Sequence, residues 1–152
     1  MNEKPKRWLT KEEQKLWRAF LNAQFRLNKI LNFEIESSAG FDLLTYEIFV
    51  HLSEQNDRTL RMKELAKCVS ATKSKLSYRV AQLEKEGYLN RSHVLEDGRG
   101  QNCILTDKGL TMLEKSAPLH VDGVLDNFIE PLKDTKIQEL TEVFNSIAKK
   151  ES

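Results

Sequence analysis

A cluster of hydrogen-bond donors lies near the middle of the chain and could bind the phosphates and base edges of a nucleic acid. No acidic residue occurs between Thr72 and Gln82, although the helix dipole ordinarily favours Asp or Glu in a first turn. Ammonium and hydroxyl groups suit phosphate oxygens, and the first residues of a recognition helix also reach base edges. The alternative is an ordinary helical hairpin with a lysine-rich exposed face. The donors are Lys73, Ser74, Lys75, Ser77 and Tyr78.

Two helices joined by a tight turn must position these donors. Apolar residues recur at helical spacing in both halves of the segment. Thr72 is a suitable N-cap for the second helix, because its hydroxyl can accept a free first-turn N–H. Gly87 suits the end of that helix. The pattern predicts a helix-turn-helix whose inward residues are Leu65, Ala66 and Val69 in the first helix and Leu76, Val80 and Leu83 in the second.

A two-stranded ribbon is predicted directly after the second helix. Residues 88–94 and 102–105 have strand composition, and Asp97-Gly98 between them is a turn signal. A ribbon at this place forms the wing of a winged helix. Arg99 at its tip could enter a minor groove, where narrow A·T-rich tracts concentrate negative potential, and Asp97 could hold the Arg99 side chain. The alternative for Arg99 is a solvent-exposed turn residue.

The segment from Leu65 to Gly109 resembles the winged helix-turn-helix of the MarR family of bacterial transcription regulators. The resemblance implies DNA contacts from Thr72, the helix donors, Arg91, Asp97 and Arg99. The chain departs from the family in two places: Gly98 replaces one of two adjacent wing arginines, and Ser70-Ala71 replaces a Gly and a Val in the turn. The matching residues are Leu65-Ala66, Thr72, Leu83-Glu84, Gly87-Tyr88-Leu89, Arg91, Asp97, Arg99-Gly100, Leu105-Thr106 and Gly109.

The charge distribution agrees with a nucleic-acid footprint. The chain of 152 residues has a net charge of +1, and its length suits one domain. Residues 58–109 hold eleven Lys/Arg and six Asp/Glu, whereas the remaining residues hold thirteen and seventeen. A basic segment on an acidic scaffold is typical of a protein that binds DNA.

No arrangement typical of an enzyme or a metal site occurs in the sequence. His51, His93 and His120 fall on separate predicted elements, and no Gly-rich phosphate loop is present. Cys68 and Cys103 are too far apart for a zinc motif, and both alternate with core positions, which predicts buried, inert thiols. We therefore expect no enzymatic activity, no cofactor and no metal.

The sequence also predicts a cytoplasmic protein that does not cross a membrane. No apolar run approaches the ~20 residues of a membrane helix. The first seven residues are followed by no apolar stretch, so they do not form a secretory signal.

Helices are predicted on both sides of the winged segment, giving a mainly α fold with a small β-wing. Residues 1–57 are expected to form N-terminal helices that support and dimerise the protein. Residues 58–109 are expected to form the DNA-binding region, and residues 110–152 the C-terminal dimerisation helices.

The first helix is expected to run from a capping box at Thr10 to about Glu36. The second is expected over 43–54, and a short strand at 59–61. Thr106 caps the next helix, Pro118 kinks or splits it, Pro131 ends it, and Asp134 caps the last helix.

The terminal helices have more apolar surface than one small winged domain can cover, which predicts a homodimer. Twofold pairing would place two recognition helices about one DNA turn apart, ~34–36 Å, on a pseudo-palindrome, and the MarR resemblance implies the same dimer. The alternative is a monomer with an amphipathic arm. We expect a transcriptional regulator, most simply a repressor, that binds double-stranded DNA; a protein-interaction module that retains the fold without reading DNA is the second hypothesis.

The MarR resemblance further implies a small aromatic or phenolic effector that binds between the dimerisation helices and the winged domain. Aromatic rings, a hydroxyl and an imidazole on the first two helices and their connecting loop would suit such a ligand. The alternative is that these residues belong to the core and the dimer interface. They are Trp17, Phe20, Phe41, Tyr46 and His51.

Overall fold

The protein consists of six α-helices and a small antiparallel sheet, seen in a computed structural model that describes residues 7–93 and 100–149. Two helices come first, α1 (Lys11–Ala39) and α2 (Leu43–Ser53). The winged segment follows, and two helices end the chain, α5 (Asp107–Val124) and α6 (Ile137–Ala148). The winged segment comprises β1 (Thr59–Arg61), α3 (Met62–Cys68), α4 (Lys73–Lys85), β2 (Leu89–His93) and β3 (Gln101–Leu105). The predicted mainly α fold with a β-wing is confirmed.

Local sequence signals set most helix boundaries as predicted. The Thr10 hydroxyl accepts the Glu13 amide, and the Glu13 carboxylate accepts the Thr10 amide, so the capping box is complete. Helix α1 runs three residues beyond the predicted Glu36 and ends at Gly40, whose φ of 74° suits glycine. Thr106 caps α5 as predicted, by accepting the Gly109 amide.

The C-terminal region differs from the prediction beyond α5. Of the two outcomes predicted for Pro118, a kink or a split, the split does not occur, because α5 is continuous through this residue. The chain then forms a π-helical turn over Leu125–Ile129 and a 3₁₀ turn over Glu130–Leu132, which contains the predicted breaker Pro131. The expected Asp134 cap is wrong, since α6 begins after Lys136 without a side-chain cap.

The sheet joins the short strand before the helix-turn-helix to the wing. Its strand order is β1-β3-β2, with both neighbouring pairs antiparallel. Cys103 of the central strand pairs with Leu60 on one side and with Arg91 on the other. The predicted short strand at 59–61 is confirmed, and its pairing with β3 attaches the wing to the residues that precede α3.

One core lies beneath the helix-turn-helix, between α2, α3, α4, α5 and the sheet. Leu65, Leu76 and Val80 are completely buried and Leu83 nearly so, as their spacing predicts. Full burial of such a side chain stabilises the fold by about 1.5–3 kcal/mol, so these contacts fix which face of α4 is left for solvent. The other completely buried side chains are Ile35, Thr45, Ile48, Phe49, Leu52, Leu89 and Cys103.

The two cysteines have different surroundings. Cys103 is buried as predicted, its thiol lies 3.1 Å from the Met62 sulfur, and burial raises its pKa to about 11. Cys68 is exposed, so the prediction that both thiols are buried is wrong. It is the last residue of α3, and a terminal position leaves its side chain outside the core that Leu65 enters one turn earlier.

Candidate nucleic-acid interface

The recognition helix α4 presents its donors to solvent because its apolar stripe is fully used in the core. The Thr72 hydroxyl accepts the Lys75 amide at 3.2 Å and fixes the start of the helix. With that start, Leu76, Val80 and Leu83 face inward. All the predicted donors of this helix lie on the exposed surface, together with Thr72 itself: Lys73, Ser74, Lys75, Ser77 and Tyr78.

The end of α4 is a hydrogen-bonded turn that directs the chain into the wing. Gly87 has a φ of 80°, which costs a glycine little. Its amide donates to the Glu84 carbonyl at 3.0 Å, and the Tyr88 amide donates to the Leu83 carbonyl at 2.9 Å. This is a Schellman motif. Lys108 adds a cation at the helix end, since its Nζ lies 2.7 Å from the Glu86 carbonyl oxygen.

A second glycine allows the wing to pack against α5. A Cβ on Gly109 would lie 2.5 Å from the Tyr88 carbonyl oxygen and 2.5 Å from the Leu105 side chain. The first turn of α5 can therefore approach the start of β2 only without a side chain there. The Thr106 hydroxyl donates across the same junction to the carbonyls of Gly87 and Tyr88. These contacts set the position of the wing relative to α4.

The wing residue Arg91 is bonded to the recognition helix. Its Nε donates to Glu84 at 2.7 Å, its Nη2 lies 2.6 Å from the same carboxylate, and its backbone amide donates to Glu84 at 3.1 Å. The hydrogen bond from Arg91 lowers the pKa of Glu84. Both side chains are about one-third exposed. The ion pair places Arg91 at the junction of helix and wing, a role that the sequence pattern did not indicate.

The predicted wing-tip residues Asp97 and Arg99 lie outside the described residues. The strands that carry the tip are in place on both sides, ending at His93 and beginning at Gln101. The predicted roles of Asp97 and Arg99 therefore remain predictions.

Two acidic residues of the α2 region hold the helix-turn-helix, and sequence analysis did not identify either. Asp42 caps α2 by accepting the Thr45 amide at 3.0 Å, and its other oxygen accepts from Arg79 of α4 at 2.5 Å. Glu47 accepts the Ser70 amide in the turn between α3 and α4 at 3.0 Å. An Asp directly before a predicted helix is a recognisable cap signal, whereas its distant partner Arg79 leaves no local signal.

The five residues predicted to line an effector cleft lie in three places of the protomer, and their role in binding a ligand stays a prediction. Trp17 and Phe20 stack on each other on α1 with ring centroids 5.8 Å apart and are both exposed. Phe41 packs edge-on against the core residue Phe49. Tyr46 and His51 line the same cavity, since both lie on α2, whereas Trp17 and Phe20 lie on the N-terminal half of α1.

That cavity has a volume of about 260 Å³ and is lined by side chains of α1, α2 and α5. The Tyr46 ring packs on the His120 imidazole with centroids 4.2 Å apart. Burial lowers the pKa of His120, while the nearby carboxylates of Glu34 and Glu47 oppose that shift. Within the described chain, His120 Nδ1 and Glu34 Oε2 are buried without hydrogen-bond partners.

Over 7–93 and 100–149, no group of three or more His, Cys, Asp or Glu side chains is arranged to hold a metal ion. None of the helices there is long and apolar enough to span a bilayer.

Comparisons with known proteins agree with the winged-helix geometry. Residues 45–118 match the family model described as a winged helix DNA-binding domain. The chain is 27% identical over 130 residues to the HTH-type transcriptional repressor YetL of Bacillus subtilis, covering 82% of this chain and 78% of that protein.

Two solved structures from Streptomyces coelicolor are more similar. One is a MarR family transcriptional regulator in complex with DNA, 40% identical, with a TM-score of 0.88 and coverage of 94% of this chain and 90% of that one. The other is the MarR family regulator AbsC, 34% identical, with a TM-score of 0.86 and coverage of 94% and 96%. The family is one of transcriptional regulators, not of enzymes. From the winged-helix geometry and these matches, the chain belongs to the MarR family of DNA-binding transcriptional regulators.

Proposed function

We propose that this regulator is a repressor that binds a pseudo-palindromic operator as a homodimer. The observation that carries the proposal is the exposed face of α4, where the described donors meet no acidic partner. Lys73 and Lys75 supply charge for phosphates, and Ser74, Ser77 and Tyr78 supply neutral donors. Thr72 fixes the start of the helix, and Arg91 sets the wing against it through Glu84. Asp97 and Arg99 are proposed to form the wing-tip contact.

The terminal helices support the homodimer because they carry apolar surface that one protomer leaves uncovered. Helix α6 has no buried residue, although it has a strongly apolar side. An amphipathic helix is stable when that side packs against another element, and uncovered apolar patches of this kind mark interaction sites. A second copy of the chain is the partner we propose. The exposed residues include Leu16, Trp17, Phe25 and Phe33 on α1 and Val143, Phe144 and Ile147 on α6.

Selection of duplexes from a random DNA pool, followed by measurement of the complex mass, tests both parts of this proposal. We expect enriched sequences with twofold symmetry and two protomers per duplex. Binding to the enriched duplex should exceed binding to a scrambled one by ~10³-fold or more. Equal affinity for both duplexes, without strong salt dependence, would instead favour a protein-interaction module that retains the winged fold.

A charge placed in the apolar side of α6 tests the dimer separately. Phe144→Glu should shift the protein to monomers and weaken operator binding, because a carboxylate is costly to bury in an apolar interface. Gln138→Glu is the matched control, since residue 138 lies on the other side of the same helix at about 100° per residue. Monomer formation by both variants, or by neither, would contradict an interface built from this side of α6.

We further propose that a small aromatic or phenolic ligand regulates DNA binding through the cavity beside Tyr46. The buried, unpartnered His120 Nδ1 supports this site because a ligand hydroxyl or carboxyl group could bond to it. The ligand must bind more tightly to a state with wrongly spaced recognition helices than to the DNA-bound state. Operator affinity should be measured with and without millimolar salicylate and related phenols, in the unmodified protein and in Tyr46→Ala. No shift in the unmodified protein would oppose a phenolic effector, and a shift that survives Tyr46→Ala would place the pocket elsewhere.

A further inference from the structure

Four side chains form a continuous hydrogen-bonded row from the start of α2 to the exposed face of the recognition helix. Asp42 accepts from Arg79 Nη2 at 2.5 Å. The other terminal nitrogen of Arg79 donates to Gln82 Oε1 at 3.1 Å, and Gln82 Nε2 donates to the Tyr78 hydroxyl at 3.0 Å. The row begins at a partly buried ion pair, with Asp42 17% and Arg79 28% exposed, and ends at Tyr78, which is 65% exposed.

The chemistry of the row fixes the direction of every hydrogen bond in it. Arg79 can only donate, so Gln82 must turn its carbonyl oxygen toward the guanidinium. Its amino group then faces Tyr78 and can only donate to the phenol oxygen. The orientation of the Gln82 amide thus follows from its partners. Because the Tyr78 oxygen already accepts from Gln82, its own proton is directed to another acceptor.

The beginning of the row is firmly held. One oxygen of Asp42 accepts both the backbone amide and the hydroxyl of Thr45, at 3.0 and 2.8 Å. The other oxygen is thereby directed to Arg79, and a charge-assisted bond of this kind is stronger than one between neutral groups. The capping residue of α2 therefore determines, through Arg79, which side of Gln82 faces Tyr78.

Tyr78 also lies in the middle of the solvent-exposed face of the recognition helix. It lies two residues, about 200° of helical turn, from both Leu76 and Val80, which are completely buried. Its ring therefore leaves the helix on the side opposite the core, and the exposed Lys73 and Lys75 precede it by five and three residues. In helix-turn-helix proteins this outward side of the recognition helix enters the major groove.

We propose that Tyr78 is a specificity-determining donor that gives its hydroxyl proton to a purine N7 in the operator, with Gln82, Arg79 and Asp42 as positioning residues. N7 is an acceptor on the major-groove edge of both adenine and guanine, and it carries no proton that could compete with the phenol. A phosphate is the less suitable acceptor, because a neutral phenol cannot neutralise the phosphate charge. Tyr78 also lies in the middle of the exposed face of the helix and not at its sides, which the phosphates would flank. The inference rests on the operator binding proposed above.

The test uses the duplex enriched by the full-length protein, remade with each purine replaced in turn by its 7-deaza analogue, which lacks N7. We expect one purine position, repeated in the two half-sites, at which each single replacement weakens binding of the unmodified protein by about fivefold, the worth of one neutral hydrogen bond. Tyr78→Phe, which removes the hydroxyl from both protomers, should bind the parent duplex about 25-fold more weakly, fivefold for each protomer, and be insensitive to replacement at that position. Its unfolding temperature should be unchanged, since the side chain is exposed.

Gln82→Glu tests the direction of the hydrogen bonds in the row and leaves Tyr78 itself unchanged. A carboxylate can accept from both neighbours but cannot donate, so the Tyr78 proton would turn toward residue 82. This variant should lose sensitivity to the same 7-deaza purine. Ala81→Glu adds the same charge at an exposed neighbouring position and should retain the sensitivity, although both variants bind all DNA more weakly.

Three results would overturn the inference while leaving operator binding intact. The first is operator affinity of Tyr78→Phe equal to that of the unmodified protein. The second is a Gln82→Glu variant whose binding is still weakened by the 7-deaza purine. The third is a difference in affinity between Tyr78→Phe and the unmodified protein that disappears only when one phosphate is replaced by a methylphosphonate. If no duplex is enriched at all, the proposed function falls, and this inference falls with it.

Discussion

Glu84 and Arg91 join the recognition helix to the wing through three contacts at one carboxylate, two from the guanidinium and one from the backbone amide of Arg91. The wing is thus held to the helix that we propose enters the groove. A change in this ion pair should displace the wing without removing a charge contact with DNA.

Arg91→Ala should weaken operator binding without the loss of salt slope that a phosphate contact would cause, because the Arg91 guanidinium is bonded to Glu84. Each phosphate contact contributes about 0.9 to the slope of log affinity against log salt, so the slope distinguishes a residue that positions the wing from one that binds phosphate. Titrations of the operator at several salt concentrations provide the measurement. A slope reduced by about one unit per protomer would show that Arg91 leaves Glu84 and binds phosphate.

Lys73→Ala and Lys75→Ala should behave differently from Arg91→Ala. If each lysine meets a phosphate, each substitution should reduce the salt slope by about one unit per protomer and weaken binding to all sequences. If a lysine instead contacts guanine, its replacement should remove the preference for guanine at one base position, which is worth roughly 1–3 kcal/mol of binding free energy. The same salt titrations, repeated on mutated duplexes, separate the two. A double variant with unchanged operator affinity would exclude this face of α4 as the DNA-binding surface.

At the wing tip, Arg99→Ala should strongly reduce operator affinity and leave the dimer intact, with Asp97→Ala producing a smaller loss by freeing Arg99. Anisotropy titration measures the affinity, and sedimentation verifies the dimer. Arg99→Lys is the informative control, since it keeps the charge but not the planar fork of donors. Binding by Arg99→Ala at the level of the unmodified protein would show that the wing tip is not a DNA element.

His120 should make the protein less stable in mild acid. Burial lowers its pKa in the folded state below the ordinary 6.5, so the unfolded chain takes up the proton first. The free energy of unfolding should fall as the pH drops below about 6.5 and level off below the folded-state pKa. Urea unfolding at fixed protein concentration, at pH 7.5 and 5.5, should show a smaller loss for His120→Gln. Equal losses in both proteins would assign the acid sensitivity to other groups.

The parts of the fold that the sequence predicted are those with local causes. Thr72, the stripe through Leu76, Val80 and Leu83, and Gly87 each act within one helix, so spacing and cap chemistry are sufficient to identify α4. The same holds for the capping box at Thr10. The exposure of the donors could be predicted as well, because burial of one face of a helix leaves the opposite face to solvent.

The contacts that position α4 could not be predicted in this way. Asp42 and Arg79 are 37 residues apart, and their pairing depends on how α2 packs on α4. The Tyr46–His120 contact likewise joins α2 to α5, and no period or motif relates the two residues. The residues predicted to line an effector cleft are separated in the protomer for the same reason: residue type suggested a ligand, but only packing decides which side chains share a cavity.

Whether a dimer reads DNA with two recognition helices is best measured by comparing the enriched operator with its half-site in mass-resolved titrations. We predict two protomers on the full operator, with the half-site centres about 10–10.5 base pairs apart or at a multiple of that distance, and much weaker binding to the isolated half-site. Inserting about five base pairs, half a turn of DNA, between the half-sites should abolish the advantage of the full operator. Equal affinity for the full operator, the half-site and the expanded operator would contradict a dimer that reads DNA with two recognition helices.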